Sequence, residues 1–389
     1  EQILSQTRIA EVVPTVSVLE SSRSIKAGSG VPEAQDELRA LAERSGAGTL
    51  VSGAYYLIDD ELHFHAEITD VVLRKPILKL EPLMGSRGER DRLITELSRR
   101  ILGALAGHFT PGMGEFVQKI RRPPAYEAFQ EFLMGLDLFG VDYEQTEKHF
   151  ARALELDPTF VQAKLWTASV YRNQGRYEEA DALIRSIVEV RDELTPFDNR
   201  MLDWHVAELK GQNEQALRYL REVDKLAPNL WTVKYLVGLY AQWVNRPRET
   251  VDVSVWMDSQ DPKLIFTRPA NSWWFGVLAR AHHMLGEYKK ELAVAKQGRT
   301  YFPKDLMFAV IEARALAALG KIGEVRKVVE ACLDVDATSG TPGGVMMEAA
   351  RELYAHGHKD ASREFAAMAI EWAEGRPEAE RKTQGRREF

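Results

Sequence analysis

The spacing of apolar side chains changes once along this chain of 389 residues, near residue 110. Before that point, segments with the period of two that is typical of strands alternate with segments that have the 3.6-residue period of helices. From residue 125 onward every apolar segment has helical spacing, and Gly, Asn or Pro separates one segment from the next. The pattern predicts a small α/β domain followed by a long series of helices.

A strand and a helix are predicted within residues 8–46. Residues 8–19 are rich in valine, which favours a strand. Residues 32–46 have helical spacing, and Gly46 is the predicted end of that helix.

A β-hairpin and a closing helix are predicted next. Asp59 and Asp60 form the expected turn of an antiparallel hairpin, because apolar and polar residues alternate on both sides of them. The hairpin buries one face, which consists of Leu62, Phe64, Ala66 and Ile68. Residues 90–105 then predict an amphipathic helix, whose expected apolar stripe is Ile94, Leu97, Ile101 and Leu105.

Proline and glycine interrupt the pattern between the two halves. The stretch "TPGMGEFVQKIRRPP" at 110–124 contains three prolines and two glycines, which is typical of a linker. The last residues are strongly charged and predict a disordered tail. The predicted division is an α/β domain at 1–110, a linker at 111–124, a helical region at 125–376 and a charged tail at 377–389.

The helical region contains a repeat. The stretch "YRNQGRYEEADAL" at 171–183 belongs to a unit of 34 residues, in which positions 8, 11, 15, 17 and 20 are Ala168, Tyr171, Gly175, Tyr177 and Ala180. Glycine recurs at position 15 of later units, at Gly211, Gly286, Gly320 and Gly357. Small residues allow two helices to approach closely, and glycine permits a tight turn between them. Seven such units are predicted.

Residues 125–376 resemble the tetratricopeptide repeat (TPR) family in this spacing. The resemblance implies a mainly α fold, a right-handed α-solenoid of about seven helical hairpins with the small α/β domain at its amino-terminal end. It also implies that the first helix of each hairpin lines a concave groove, through positions 2, 5, 9, 12 and 13. The implied groove residues are Gln162, Ser169, Arg172, Asn173, His205, Tyr235, Gln242, Arg280 and His283.

Position 5 distinguishes this chain from TPR proteins that bind a terminal carboxylate. Those members carry lysine there, whereas this chain has Leu165, Met201, Tyr235 and Gly276 in successive units. A carboxylate clamp of that kind is therefore not expected, and the class of ligand stays open.

The amino-terminal half resembles TolB-like or FlgO-like α/β domains. The stretch "ALAERSGAGTLVSGAYYLIDDELHFHAEITD" followed by "ITELSRRILGAL" carries this resemblance, which places the first strand of the domain upstream of Glu1. The two halves together resemble the C-terminal region of bacterial receptor-type Ser/Thr kinases, or of membrane-anchored transcription regulators. The kinase motifs H-R-D and D-F-G and the Gly-rich phosphate loop do not occur in these residues.

Composition and titratable residues point away from several other functions. The formal net charge of −7 argues against a nucleic-acid partner. Cys332 is the only cysteine, so no intrachain disulfide can form, and its place at repeat position 27 predicts a buried thiol. His63 and His65 share the polar face of their strand and are expected to be solvated rather than to bind metal. No catalytic motif, cofactor or metal site is predicted.

Three functions are compatible with this pattern. The leading one is a non-catalytic interaction or sensor region that binds a protein or peptide partner in the groove and relays to an upstream signalling module. The second is an enzyme, whose nearest acid–base set would be Asp59, Asp60, Glu61, His63 and His65. The third is a structural subunit of a larger assembly.

The sequence opens without methionine and in the middle of a predicted helix, so we expect a fragment or a processed form. An upstream segment could carry an anchor or the catalytic machinery. No run of about 18 apolar residues predicts a membrane span. An extracytoplasmic and a cytoplasmic location are both compatible with the sequence, and the oligomeric state stays open.

Overall fold

The computed structural model describes residue 13 and residues 34–110, 112–258 and 272–376. The chain divides into two compact units, Glu1–Val233 and Lys234–Phe389. The predicted strand at 8–19 lies, apart from Val13, outside the described residues, and so does the predicted tail at 377–389.

The described part of the first unit begins with a helix and an antiparallel sheet. Helix α1 (Ala34–Arg44) stops before Gly46, as predicted. Among the described residues the sheet has four strands, β1 (Thr49–Ile58), β2 (Glu61–Asp70), β3 (Lys75–Lys79) and β4 (Leu83–Ser86). Strand β2 is central, since it pairs with each of the other three.

The predicted hairpin is confirmed by the pairing of β1 with β2. Asp59 and Asp60 both have positive φ, 49° and 66°, which is the backbone conformation of a two-residue hairpin turn. Leu62, Ala66 and Ile68 are buried on the predicted face, while the neighbouring His65 is exposed. Strands β3 and β4 were not predicted.

Helix α2 (Arg90–Phe109) is the predicted closing helix, but its buried face differs from the predicted stripe. Ile94 is 44% exposed, whereas Leu93 is buried. The buried residues cluster in the carboxyl-terminal half of α2, where a Cβ on Gly103 would lie 2.0 Å from the Pro124 carbonyl oxygen. At Gly103 the helix therefore packs closely against the segment around Pro124 of the same chain.

The segment predicted as a linker contains a short packed helix, α3 (Gly114–Lys119). Its Phe116 is buried and stacks on Phe132, with ring centroids 6.1 Å apart and planes 14° apart. Phe116 also meets Phe197 edge-on at 6.4 Å. This stretch of the chain thus contributes to the apolar packing of the first unit.

The rest of the chain consists of paired helices. Within the described residues there are seven helical hairpins, as predicted, and the only bridge of strand type after residue 125 is an isolated one between Asp305 and Ser339. Three hairpins lie in the first unit: α4 (Tyr126–Leu138) with α5 (Tyr143–Leu156), α6 (Val161–Asn173) with α7 (Tyr177–Val188), and α8 (Pro196–Leu209) with α9 (Asn213–Leu226).

The other four hairpins belong to the second unit, which begins within α10. They are α10 (Trp231–Trp243) with α11 (Pro247–Asp258), α12 (Ser272–Met284) with α13 (Tyr288–Tyr301), α14 (Met307–Ala318) with α15 (Ile322–Cys332), and α16 (Pro342–Ala355) with α17 (Lys359–Glu374).

A residue with left-handed backbone conformation lies in the turn of every hairpin. These residues are Gly140, Gly175, Gly211, Asn245, Gly286, Gly320 and Gly357, with φ between 59° and 84°. At Gly175 an added Cβ would meet no atom within 4 Å, so the backbone conformation alone favours glycine there. The predicted role of position 15 is confirmed, with asparagine taking the place of glycine in the fourth hairpin.

The core of the second unit forms between its helices. Cys332 is 1% exposed and lies in a buried cluster with Val329, Val345, Leu353 and Phe365. Burial raises the pKa of the Cys332 thiol above its usual value, and the prediction of a buried thiol is confirmed. Among the described residues, no helix has both the length and the apolar composition needed to cross a bilayer.

Candidate functional site

Two of the predicted groove residues on α6 are buried. Gln162 donates through Nε2 to Oδ1 of Asp198 on α8, at 2.5 Å. Ser169, two turns further along α6, is also buried. Gln162 therefore links the first helices of two successive hairpins, and neither side chain is accessible to a partner in this structure.

The carboxyl group of Asp198 is enclosed by its neighbours. Thr195 caps the start of α8: its Oγ1 accepts from the Asp198 backbone N–H at 3.1 Å and donates to Asp198 Oδ2 at 2.9 Å. Burial raises the pKa of Asp198 to about 6, although the hydrogen bonds from Thr195 and Gln162 act in the opposite direction. Removal from water thus outweighs two favourable hydrogen bonds.

Arg172 and His205 were both predicted in the groove, and the structure brings them together around Glu208. Arg172 Nε lies 3.2 Å from Glu208 Oε2, and His205 Nδ1 lies 3.7 Å from the same oxygen. His205 is buried, and this burial, followed by the charge of Arg172, lowers its pKa to about 3. The imidazole is therefore neutral at neutral pH, beside an arginine–carboxylate pair.

Of the predicted groove residues on α6 and α8, Asn173 is the one that is exposed. Its Nδ2 donates to the hydroxyl of Tyr143 on α5, at 2.9 Å. The next residues form the turn at Gly175, after which the guanidinium of Arg176 stacks over the Tyr171 ring at 4.1 Å. Tyr171 and Gly175 thus serve the hairpin itself, as the repeat pattern predicts.

In the second unit, the four predicted residues differ in exposure. Gln242 is buried and donates to the Val277 carbonyl of α12, and Tyr235 is half-buried. His283 is half-buried as well. Arg280 is exposed, and none of the described residues forms an ion pair with it.

His283 belongs to a buried network centred on Glu291 of α13. Glu291 is 0% exposed; its Oε1 accepts from Nε of Arg314 at 2.7 Å, and its Oε2 lies 2.8 Å from His283 Nδ1. The same arginine reaches Glu348 of α16 at 3.7 Å. One buried carboxylate thus connects helices α12 and α14, and α14 is connected in turn to α16.

The network continues through the other ring nitrogen of His283, whose Nε2 lies 3.6 Å from Oε1 of Glu352. His356 Nε2 approaches the same carboxylate oxygen at 2.9 Å. The Tyr288 ring is between the two imidazoles, 5.4 Å from His283 and 5.3 Å from His356. We call the set Glu291, His283, Arg314, Glu348, Glu352 and His356 the Glu291 cluster.

Three arginines have the same place in successive hairpins of this unit. Arg280, Arg314 and Arg351 each precede the turn glycine of their hairpin by six residues, at repeat position 9. Sequence reasoning singled out Arg280 alone and missed the other two, together with Glu208 and Glu291. The three arginines share repeat position 9, and Glu208 shares repeat position 12 with Arg172. This repeat spacing is the sequence signal that could have identified them. Glu291 lies on a second helix, and no sequence signal marks it.

The acid–base set considered for an enzyme lies at the tip of the β1–β2 hairpin. Asp59, Asp60, Glu61 and His65 are exposed, and His63 Nε2 lies 3.4 Å from Glu61 Oε2. Within residues 34–110, 112–258 and 272–376, no cluster of three or more His, Cys, Asp or Glu side chains has a geometry that could hold a metal ion.

No protein-family model and no curated protein matches this sequence. Among solved structures, a tetratricopeptide repeat protein from Parabacteroides merdae is 15% identical and covers 66% of this chain and 96% of its own, at a TM-score of 0.39. A thermophilic TPR protein from Thermus thermophilus is 20% identical over 49% of this chain and 98% of its own, at a TM-score of 0.36.

A signal transduction ATPase from Pyrococcus horikoshii, which has a tetratricopeptide repeat sensor, is similar over a longer part of this chain. It is 11% identical and covers 74% of this chain and 48% of its own, at a TM-score of 0.42. These TM-scores are all below 0.5, so the similarities carry no argument about fold or function. The chain is a mainly α protein of repeated helical hairpins with in-frame turn residues and a small antiparallel sheet.

Proposed function

We propose that this chain is a non-catalytic protein-interaction region, and that its second unit binds a protein or peptide segment along the first helices α12, α14 and α16. The observation that supports this proposal is the Glu291 cluster, which ties these three helices together through charged contacts. Exposed Arg280 and Arg351 and the 64%-exposed Tyr354 lie on the same helices.

The chemistry of these side chains suits protein recognition. Arginine and tyrosine are enriched among the residues that dominate binding energy at protein interfaces. The network beneath them holds the backbones of three helices in fixed register, so little ordering is needed when a partner binds. Arg280 and Arg351 have, in contrast, outward-facing heads that a partner can reach.

We further propose that the bound segment controls an upstream signalling module through the α/β domain, which would make the region a sensor. The enzyme alternative has less support, because its candidate acids and histidines lie on an exposed hairpin tip rather than in an enclosed site. A structural subunit of a larger assembly would use the same helices, but as a permanently covered surface.

Site-specific photocrosslinking tests the proposal. A photoreactive phenylalanine analogue is placed at Tyr354 on α16 or, as a control, at the exposed Lys327 on the second helix α15. Expressed in its native host, the chain should form an adduct with a partner protein from position 354 that is absent from position 327. The same adduct should be weakened by Arg351→Ala. Identical adducts from both positions, or none from 354, would contradict the proposal.

A further inference from the structure

Charge is distributed unevenly across the face formed by α12, α14 and α16. The carboxylates are recessed: the side chains of Glu291, Glu352 and Glu348 are 0%, 12% and 25% exposed. The arginine heads are outermost, since the Arg351 side chain is 63% exposed and Arg280 is exposed as well. A molecule that approaches this face therefore meets cationic groups first.

The acids beneath do not neutralise these two arginines. Glu291 is held by Arg314 and His283, and Glu352 by His283 and His356. Glu348 lies 3.7 Å from Arg314 and only 3.9 Å from Arg351, at the limit of an ion pair. Arg280 has no acidic partner among the described residues. Arg280 is thus free to donate to an external carboxylate, and Arg351 is held only by a contact at the limit of an ion pair.

The spacing of the arginines sets the length of the ligand. Helices that pack side by side lie about 8–10 Å apart, and Arg280 and Arg351 are two first helices apart, so roughly 16–20 Å separates their backbones. An extended peptide rises about 3.3 Å per residue, and five or six residues span that distance.

The face between the arginines also carries apolar side chains. Val310 on α14 and Met347 on α16 are half-buried, and both precede the arginine of their own helix by four residues, which places them on the same helix face. Repeat position 5 on α12 is Gly276, and Met307 of α14 packs over it: a Cβ on Gly276 would lie 3.3 Å from Met307 Sδ. Tyr354 adds an exposed aromatic ring beyond Arg351.

We infer that the segment bound by this face is an extended acidic peptide, with two carboxylates five or six residues apart that pair with Arg280 and Arg351. An apolar side chain between the two carboxylates packs on Val310 and Met347. This inference rests on the proposed function and names the chemistry of its partner.

The experiment uses the full chain and a library of fluorescein-labelled octapeptides. In each pool two positions carry the same fixed residue, Glu, Gln or Lys, and the separation between these two positions is varied. The remaining positions are mixtures of amino acids. Binding is followed by fluorescence polarisation. The Glu pair at a spacing of five or six should bind best, and the Gln pair about tenfold or more weaker. Arg280→Gln and Arg351→Gln should each weaken the Glu pair about fivefold. Added salt should weaken it further.

Two variants make the result specific. Arg363→Gln on the second helix α17, where the arginine side chain is 76% exposed, should leave binding unchanged. Arg351→Glu should shift the preference at one fixed position from Glu to Lys, a reversal that general damage to the fold cannot produce. Tightest binding of Gln or Lys pairs to the native chain would overturn the inference and leave the proposed function standing, whereas no binding by any pool would overturn both.

Discussion

Gly298 of α13 gives the sharpest test of how successive hairpins pack. It lies at repeat position 27 and is buried against Phe308 of the following hairpin. A Cβ added there would lie 2.2 Å from both Cδ1 and Cε1 of the Phe308 ring, where carbon atoms normally lie 3.5–4.0 Å apart. In Gly298→Ala, either the ring or the helix must therefore move by more than 1 Å.

The ring has little freedom to move. Phe308 is fully buried, stacks on Phe302 at 5.8 Å, and meets Phe275 edge-on at the same distance. Overpacking of this kind costs about 1–3 kcal/mol or more. Replacing a helical glycine with alanine stabilises a helix by roughly 1 kcal/mol, which offsets part of that cost. We expect Gly298→Ala to lower the free energy of unfolding by about 1–2 kcal/mol.

Gly323→Ala is the matched control. Gly323 is helical and exposed in the same unit, and an added Cβ would meet no atom within 4 Å. It should therefore stabilise by about 0.5 kcal/mol. Thermal and urea unfolding followed by circular dichroism measure both variants, and Phe308→Leu in the Gly298→Ala background should recover part of the loss. If Gly298→Ala stabilises the chain as the control does, or if the two substitutions simply add, the packing argument is refuted.

Three further predictions concern the first unit. Because burial raises the pKa of Asp198 to about 6, its contribution to stability is present below pH 4 and is lost as the pH rises through 6. The free energy of unfolding of Asp198→Asn, obtained from urea titrations, should therefore rise relative to that of the native chain by up to about 3 kcal/mol between pH 4 and 8. A difference between the two that does not change with pH would contradict this. His205 has its pKa lowered to about 3, so the native chain should lose stability below pH 6.5, and His205→Gln should flatten that acid limb in the same titration. Gly175→Ala should cost about 1 kcal/mol in thermal unfolding through its positive φ alone, and Gly175→Asn less.

The hairpins could be predicted from the sequence because their determinants are local. A left-handed turn needs glycine or asparagine wherever it occurs, so Gly211, Gly286 and Gly320 mark the turns without reference to the rest of the fold. Asn245 was missed only because glycine was the residue sought. The hairpin at Asp59-Asp60 was equally predictable, since its alternation and its turn lie within 22 residues, 49–70.

Features that depend on a distant partner could not be predicted in the same way. Helix α2 packs at Gly103 against Pro124, a residue outside the helix, and Ile94 is exposed despite its helical spacing. The charged side chains of Glu291 and Arg314 read as surface residues, because a charge is buried only when its partner is present. That partner is on another hairpin, 23 residues away.

Under the proposed function, those buried charges distinguish the last three hairpins from the earlier ones. At Gln162 and Gln242 the groove positions are occupied by hydrogen bonds to neighbouring helices, so they hold hairpins together. Repeat position 9 is Ser169 and His205 in two earlier hairpins, and it is an arginine, with a longer side chain, in each of the last three. Two of these three arginines are exposed. Removing Glu291 leaves Arg314, whose side chain is 13% exposed, without its closest carboxylate, which is strongly destabilising. Glu291 can therefore not be lost without harm to the fold, whereas the proposed binding residues Arg280 and Arg351 are exposed and can change to suit a partner.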